Sequence, residues 1–387
     1  MSDTPGISRR ALLLGTGGVV AAAAVAAVGT AVTQGGPTTS TTTDRAPGVR
    51  ATGRTQAGVA RPATPQRQAL HAVLRLGGGA DPGPDLRSGL AAAGATILRL
   101  VSGPSDELPD GPGDLTIHVG LGPGPLAAID PTLPAATAMP RFAGDDGIPA
   151  GRDDGDVLVA LASSDGTALR PALDAVVASL PGATTLWAEH GFRGPGQGTI
   201  ARNPLGYHDG IIVPEGDDEL DENVWLAHGP LAGATVCVLR RLRLDRTRFA
   251  ALAEGERDRV IGRHADGRPL SGGGPTAEVD LQAKTPEGAY LTPARSHARA
   301  AHPSFTGSAL MLRRGYAFDR GPLADGTADA GLLFVCFAHD LETFVRTQLR
   351  LDETDDLMPF TTPTASGSFL VLPGFDAAHP LGHQLWA

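Results

Sequence analysis

Three short segments in the second half of the chain carry residue types that could perform chemistry. NPLGYHDGI contains Asp209, PARSHARAAHP contains His297 and His302, and LMLRRGYAFD contains Arg313. Taken alone, the Asp-Gly step in the first segment is typical of a turn. A carboxylate and a guanidinium at one site could instead move a proton and stabilise a negative charge that develops during a reaction.

The two histidines are poorly spaced for binding a bare metal ion. Five residues along a helix are a rotation of about 500°, so the rings of His297 and His302 would point about 140° apart. Zinc ligands usually share a face, and no cysteine or carboxylate run accompanies these histidines. A single histidine can still be an axial ligand of a haem iron, because the porphyrin supplies the other four.

Composition favours a folded protein that does not bind nucleic acid. Hydrophobic residues make up 41% of the 387 residues and charged residues 19%, which is enough for a core and argues against global disorder. The formal net charge of -10 repels phosphates, and no basic patch with interleaved aromatics is present. Cys237 and Cys336 lie in apolar runs, which favours buried free thiols, although a single disulfide is also compatible with the sequence.

The amino-terminal segment has the features of an export signal. Arg9 and Arg10 precede an uncharged Leu-, Ala- and Gly-rich stretch, and the paired arginines predict a twin-arginine signal over residues 1–32. The stretch is long enough for a membrane anchor, but Ala and Gly are weakly hydrophobic, so we favour the signal. Its partner would be the twin-arginine export machinery, which carries folded proteins. We expect an extracellular or cell-envelope location and a cofactor acquired before export.

The remaining chain predicts a linker and two similar units. Residues 33–68 are rich in Thr, Gly, Pro and Ala and predict a disordered linker. Residues 69–200 alternate as strand, helix, strand, strand, helix, and residues 201–387 repeat a similar order. We predict an α+β fold of duplicated ferredoxin-like units with antiparallel sheets, of the dimeric α+β barrel type. The second unit would include one continuous helix over DRTRFAALAEGERDRVIGR and one continuous strand over SALMLRRGYAF.

The order of the motifs resembles the dye-decolorizing haem peroxidase family, and within it the twin-arginine-exported branch related to deferrochelatases. The order is GxxDG, SHxRxAxP, LRRGY, GLLFVCF and LPG, and the resemblance extends over about residues 69–387. It implies haem b, held mainly by the second unit, and a peroxidase that reduces hydrogen peroxide and oxidises dyes, phenolics or other reductants through an oxo-ferryl intermediate. The alternative is an exported haem-binding or iron-release protein like the deferrochelatases. A homo-oligomer is left open.

The resemblance also implies roles for individual residues. His297 corresponds to the proximal iron ligand, Asp209 to the distal carboxylate and Arg313 to the distal arginine. Gly206 and Gly210, which flank the YHD of NPLGYHDGI, would let the backbone approach the haem face. His208, in a variable position of the motif, is interpreted as a loop residue.

The resemblance extends to three residues around the haem. Arg263 corresponds to a residue that meets a haem propionate, and Leu332 and Phe334 fall where the family lines the distal side with apolar groups. Bulky dyes would be oxidised at the surface through aromatic residues, for which Trp187, Trp225, Tyr290 and Tyr316 are candidates, although a packing role is favoured for each.

The sequence departs from the family pattern in two places. Counting back from LPG, the acid that usually accepts a hydrogen bond from the proximal histidine falls on Pro359. Asp355 and Asp356 are close by, but the sequence does not indicate whether either reaches His297. His302 stands where Asn is common.

Overall fold

The computed structural model of the chain describes residues 48–77 and 83–387. The predicted signal, residues 1–32, and the first part of the predicted linker lie outside the described residues. The strands are β1 (Gln68–Arg75), β2 (Thr116–Leu121), β3 (Val157–Ser163), β4 (Thr184–Phe192), β5 (Gly196–Gln197), β6 (Ile200–Arg202), β7 (His208–Asp209), β8 (Thr235–Leu244), β9 (Leu312–Arg313), β10 (Tyr316–Pro322), β11 (Ala328–Ala338) and β12 (Thr361–Val371). The helices are α1 (Gly83–Ser102), α2 (Pro123–Ile129), α3 (Leu169–Ala178), α4 (Gly216–Asn223), α5 (Arg246–Ala250), α6 (Glu254–Ile261), α7 (His297–Ala300), α8 (Pro303–Thr306) and α9 (Glu342–Thr354).

The first unit has the strand order of a ferredoxin-like fold. Its sheet runs β4-β1-β3-β2 with antiparallel neighbours, and α1 and α3 provide the two helical connections. Strand β4 was not predicted from the sequence, because the buried Glu189 interrupts the apolar positions on its inner face. The Glu189 side chain is buried, and its Oε2 accepts a hydrogen bond of 2.6 Å from Nε of Arg241, which is also buried. A buried ion pair of this kind makes a core position look like a surface position in the sequence.

The second unit repeats this order and closes the sheet into a barrel. Its strands run β12-β8-β11-β10, and the two units join where β12 pairs with β2 and β10 pairs with β4. The predicted α+β class with duplicated ferredoxin-like units is therefore confirmed. Closure leaves the barrel strands without a free edge.

Two elements that were predicted to be continuous are interrupted. The predicted helix ends at Ala250 and restarts at Glu254, where the Glu256 carboxylate accepts a hydrogen bond from the Ala253 N–H. The predicted strand is broken at Arg314 and Gly315, so that β9 and β10 pair with different parts of β11. Periodicity alone does not reveal either break, because the apolar pattern continues across it.

The side chains of β11 show how the two faces of the barrel differ. Leu333, Val335 and Phe337 point into a core inside the barrel, whereas Leu332 and Phe334 point outward. In the first unit, α1 and α3 pack on the outer face and bury it. In the second unit the connection between β8 and β9 forms only the short helices α5 to α8, and a cavity lies on the outer face.

The prediction of a disordered linker is wrong for residues 48–68, which are ordered and end at the first residue of β1. Gln56 is buried, and its Nε2 donates to the carbonyls of Val119 and Leu372 at 2.9 Å each. Its Oε1 accepts from the Val119 N–H at 2.9 Å. The Gln56 amide thus links β2 to the end of β12, next to the seam where these two strands pair at only two positions. Composition does not predict this order, because the segment is held by hydrogen bonds to backbone groups of strands that are distant in the sequence.

The two cysteines are buried free thiols, as predicted. Cys237 packs inside the barrel and Cys336 packs on the outer face. Because the two side chains point to opposite faces of the sheet, they cannot form a disulfide. Burial raises the pKa of the Cys336 thiol to about 12, which keeps it protonated and unreactive. In the described part of the chain no helix combines the length and apolarity needed to cross a membrane.

Candidate active site

A cavity lies between the outer face of the second unit and the segments that cover it. The centres of water-sized molecules can occupy about 240 Å³ of it. Its floor is formed by β8 and β11, and its walls by α7, α9 and residues 203–212. All six residues that the sequence analysis assigned to the site line this cavity, namely Asp209, Arg263, His297, Arg313, Leu332 and Phe334.

His297 is the first residue of α7 and faces the cavity. Its Nδ1 lies 2.7 Å from Oδ2 of Asp355, the residue that follows α9. The imidazole is 40% exposed, whereas the Asp355 side chain is fully buried. Because Nδ1 is engaged by the carboxylate, Nε2 is the nitrogen available to bind a metal. Burial works to lower the pKa of His297, but the Asp355 carboxylate outweighs burial and raises the pKa above its ordinary value.

The partner of His297 is the one that the family spacing did not identify. Counting back from LPG pointed to Pro359, whereas the structure places Asp355 on the imidazole. Asp355 lies directly after α9, and the chain between it and β12 includes a turn of 3-10 helix (Met358–Phe360) that a count along a regular strand does not anticipate. Asp356, the other candidate, points elsewhere and accepts a hydrogen bond of 2.6 Å from Nε of Arg295.

Asp209 and Arg313 form a second polar group of the cavity. Nη2 of Arg313 donates to Oδ1 of Asp209 at 3.2 Å, and Nη1 donates to the Ile212 carbonyl at 2.9 Å. The same Asp209 oxygen accepts from the Gly210 N–H at 2.6 Å. Burial works to raise the pKa of Asp209, but the charge of Arg313 and the Gly210 hydrogen bond prevail and hold the pKa below its usual value. Asp209 is therefore a carboxylate at neutral pH.

The glycines around Asp209 are required by the local backbone. Gly210 has a φ of +82°, and a Cβ at this position would lie 2.3 Å from the Thr199 carbonyl oxygen. Gly206 has a φ of +89° and closes a turn in which its N–H donates to the Asn203 carbonyl. The structure accounts for them by the left-handed backbone and by the packing of β6 against the Gly210 segment. That they also let the backbone approach the haem face stays a prediction.

The remaining predicted residues also line the cavity. Leu332 and Phe334 are alternate residues of β11 and present an apolar surface. Arg263 is buried, and its Nη1 donates to the carbonyls of Gly267 and Ala277 at 2.9 Å each. Burial and the nearby charge of Arg313 lower the pKa of Arg263, so an anionic group in this part of the cavity would be stabilised. His208 also lines the cavity, and its Nδ1 lies 3.1 Å from the Asp266 carbonyl.

A hydrogen-bonded chain that the sequence analysis missed leads from the cavity to the surface. The hydroxyl of Tyr207, a buried lining residue, donates to Oδ1 of Asp258 at 2.7 Å. Oδ2 of Asp258 lies 2.6 Å from Nδ1 of His264, whose side chain is 45% exposed. Burial and the Asp258 hydrogen bond raise the pKa of Tyr207 above its ordinary value. Nothing in the sequence pairs these residues, which lie on the GYHDG loop, on α6 and in the loop after it.

The donor set of the cavity fits a haem rather than a bare metal ion. Within residues 48–77 and 83–387 there is no group of three His, Cys, Asp or Glu side chains that could hold an ion. His302 is unsuited as a second ligand, because its Nδ1 accepts from the Ser304 N–H at 3.1 Å and its Nε2 lies 3.2 Å from Glu278. A single available imidazole nitrogen in an apolar cavity suits a haem iron, because the porphyrin supplies the other ligands of the metal.

Comparison with known proteins agrees with this geometry. Residues 200–376 match the family described as Dyp-type peroxidase, C-terminal. A dye-decolorizing peroxidase from Thermobifida fusca (strain YX) is 34% identical over 293 residues, which cover 71% of this chain and 68% of the relative. The chain belongs to the dye-decolorizing peroxidase family.

Two further relatives extend the comparison within this family. The structure of ferric DtpA from Streptomyces lividans has a TM-score of 0.80 at 30% identity, covering 91% of this chain and all of that one. A deferrochelatase from Yersinia pestis bv. Antiqua (strain Nepal516) is 32% identical over 268 residues, which cover 64% of this chain and 60% of the relative. As a member of the dye-decolorizing peroxidase family, the chain is a haem peroxidase, an oxidoreductase.

The Asp355 carboxylate should tune the haem iron through His297. In haem-loaded Asp355→Asn we expect the ferric/ferrous midpoint to rise, because a carboxylate on Nδ1–H makes the ligand more basic and favours the ferric state. A 10–100-fold change in the equilibrium corresponds to a rise on the order of 60–120 mV for one electron. Spectroelectrochemical titration measures it. Asp356→Asn, the same change one residue away, should leave the midpoint unaltered; equal shifts in both variants would contradict the assignment.

Proposed function

We propose that this chain binds haem b through Nε2 of His297 and reduces hydrogen peroxide beside Asp209 and Arg313, while it oxidises dyes, phenolics or other organic reductants. The observation that carries the proposal is the presence, in one cavity, of an imidazole with a free Nε2 and an ion-paired carboxylate and guanidinium. Arg263 would meet a haem propionate, and Leu332 and Phe334 would exclude water from the side where peroxide reacts.

The haem, when bound, supplies the iron that passes electrons from the reductant to peroxide. Asp209, ionised because of Arg313, accepts the proton of one peroxide oxygen and returns it to the other as the O–O bond breaks. Arg313 stabilises the negative charge that develops on the departing oxygen, because its N–H groups are already oriented by Asp209 and the Ile212 carbonyl. One peroxide, two protons and two electrons give two waters, so two one-electron donors are consumed per turnover.

An iron-release protein is the competing function, since deferrochelatases are among the relatives. A protein that only binds haem and removes its iron has no use for an ionised carboxylate held by a guanidinium beside the haem. The Asp209–Arg313 pair therefore favours the peroxidase.

Titration of the haem-loaded protein with peroxide tests the proposal. We expect one molar equivalent to change the Soret band within seconds and a reducing dye to restore it with two electrons. An unchanged Soret band, or the appearance of iron-free porphyrin under reducing conditions without peroxide turnover, would favour the iron-release function.

The Tyr207–Asp258–His264 chain supports a route for reductants that are too large for the cavity. Of the four aromatic candidates from the sequence, Trp187, Trp225 and Tyr316 are buried, and Tyr290 is exposed. Tyr207 combines a place in the cavity wall with a carboxylate that can accept its phenolic proton when the ring loses an electron.

Tyr207→Phe should lower the rate of bulky-dye oxidation by roughly tenfold, which corresponds to about 1.4 kcal/mol in the barrier for transfer between the cavity and the surface. The second-order rate constant for peroxide should be unchanged, because the hydroxyl points to Asp258 and away from Asp209. Steady-state assays with one bulky and one small donor, and the electron paramagnetic resonance signal of a tyrosyl radical, measure the effect. Tyr290→Phe is the matched control, and a radical that survives in Tyr207→Phe would exclude this residue.

We also propose export by the twin-arginine route, with an extracellular or cell-envelope location. The support is the Arg9-Arg10 pair ahead of an uncharged, weakly hydrophobic stretch. A fusion of the first 45 residues to a folded reporter should be exported, and changing both arginines to lysine should block it. Export of the double-lysine variant would contradict the proposal.

A further inference from the structure

A second, much smaller cavity lies inside the barrel. The centres of water-sized molecules can occupy about 10 Å³ of it, and His71, His118, Arg314 and Tyr316 are among its lining residues. His71 and His118 flank Ala160, because both β1 and β2 pair with β3 at that residue. The small side chain of Ala160 leaves the space that the cavity occupies.

Within the described residues, three side chains around this cavity have polar atoms without a hydrogen-bond partner. They are Nη2 of Arg314, Nδ1 of His71, and both ring nitrogens of His118. All three side chains are at least nine-tenths buried. Arg314 uses Nη1 to donate to the Pro62 carbonyl at 2.9 Å. Native interiors rarely leave such groups unsatisfied, so the cavity calls for an occupant that accepts hydrogen bonds.

The charge around the cavity is positive and uncompensated. No acidic side chain lines it, and across residues 48–77 and 83–387 Arg314 forms no ion pair with a carboxylate. Burial lowers the pKa of Arg314 to about 10, which still leaves a full positive charge at neutral pH. Burial lowers the pKa of His71 to about 4, and burial with the nearby charges of His71 and Arg314 lowers that of His118 to about 3. The two rings are therefore neutral, and each offers one N–H donor.

We propose that a single small monovalent anion, of the size and chemistry of a halide such as chloride, binds in this cavity between Arg314, His71 and His118. A buried cation without a counter-charge is strongly destabilising, and a water molecule would satisfy the hydrogen bonds but leave the positive charge of Arg314 uncompensated. The available space corresponds to about one water-sized particle, which excludes sulfate or phosphate. This proposal does not depend on the peroxidase chemistry.

The position of the cavity gives the anion a structural effect. Arg314 occupies the break between β9 and β10, where its N–H donates to the Val335 carbonyl of β11. Gly58, from the segment that precedes β1, covers the cavity so closely that a Cβ there would lie 2.7 Å from Nδ1 of His118. The anion would thus hold together β1, β2, the break after β9 and the segment around Gly58 to Pro62. We expect it to stabilise the folded barrel.

Thermal unfolding of the haem-loaded full chain in chloride, replaced stepwise by gluconate at constant ionic strength, tests the site. Above the dissociation constant we expect the Tm to rise on the order of 2 °C for each tenfold increase in chloride. The Soret band, which reports on ligands of the haem iron, should not follow the same curve. Arg314→Met should lose the chloride dependence, whereas Arg170→Met, the same change at an exposed position of α3, should keep it.

Crystals grown in bromide provide a measurement that does not need a variant. An anomalous peak within hydrogen-bond distance of Nη2 of Arg314 would support the site, even if Arg314→Met fails to fold. A cavity that contains only water, together with a Tm that is independent of chloride, would overturn the proposal. So would a chloride dependence that persists in Arg314→Met, or a peak at molar bromide without any shift in solution, which would be an adventitious ion only.

Discussion

His297→Ala is expected to abolish the Soret band of the protein purified after haem loading. The imidazole is the one lining side chain of the cavity that combines a free ring nitrogen with a buried carboxylate on the other nitrogen. Loss of an outer partner of a metal ligand already costs 10–100-fold in affinity, so loss of the ligand should cost at least about 100-fold. Haem titration followed by absorbance measures the loss.

Two controls separate ligation from folding in this experiment. His302→Ala makes the same change in the same cavity, and it should keep the position of the Soret band because His302 caps α8 and binds Glu278. Added imidazole should restore a ligand field in His297→Ala, since the truncation leaves space beside Asp355. An unaltered Soret band in His297→Ala would show that the iron is held elsewhere and would remove the basis of the proposed site.

Arg313→Leu is expected to slow the reaction with peroxide by about 10²–10³-fold, the usual cost of removing one donor that stabilises a developing negative charge. It should also shift the pH dependence of the reaction. Asp209 acts as a base only when ionised, and Arg313 is the main group that lowers its pKa against the opposing effect of burial. Without Arg313, burial dominates and the pKa of Asp209 rises. As the pH is lowered, the variant should therefore lose its rate at a higher pH than the wild type does.

Stopped-flow measurement of the second-order rate constant across pH tests both effects. Wild type should keep its activity down to a pH below the usual aspartate pKa of about 3.9. Arg313→Lys should recover part of the low pKa because it keeps the charge, but little of the rate because it lacks the planar pair of donors. Asp209→Asn should be slow and show no acid limb. An Arg313→Leu enzyme with wild-type rate and profile would mean that the guanidinium only anchors the loop through the Ile212 carbonyl.

Strand alternation and helix periodicity in the sequence were sufficient for the fold class, whereas the six residues that line the cavity around His297 came from the resemblance of the ordered motifs to a known family. Strand alternation and helix periodicity are local properties, and the order of the motifs is retained along the chain. The Asp209-Gly210 step also indicates a turn, and Gly210 adopts the left-handed backbone that such a turn favours. These features depend on neighbours within a few residues and can be read from the chain directly.

The tertiary structure alone decided which distant residues meet. His297 and Asp355 are 58 positions apart, and the irregular turn between α9 and β12 places the Asp355 carboxylate where a count back from LPG does not reach it. Tyr207 and Asp258 meet because the GYHDG loop packs on α6, and Gln56 is ordered because it joins two strands that come together only on barrel closure. Side-chain partnership of this kind depends on register, on bulges and on how two units close into one barrel, and these are set by the packing of the whole molecule.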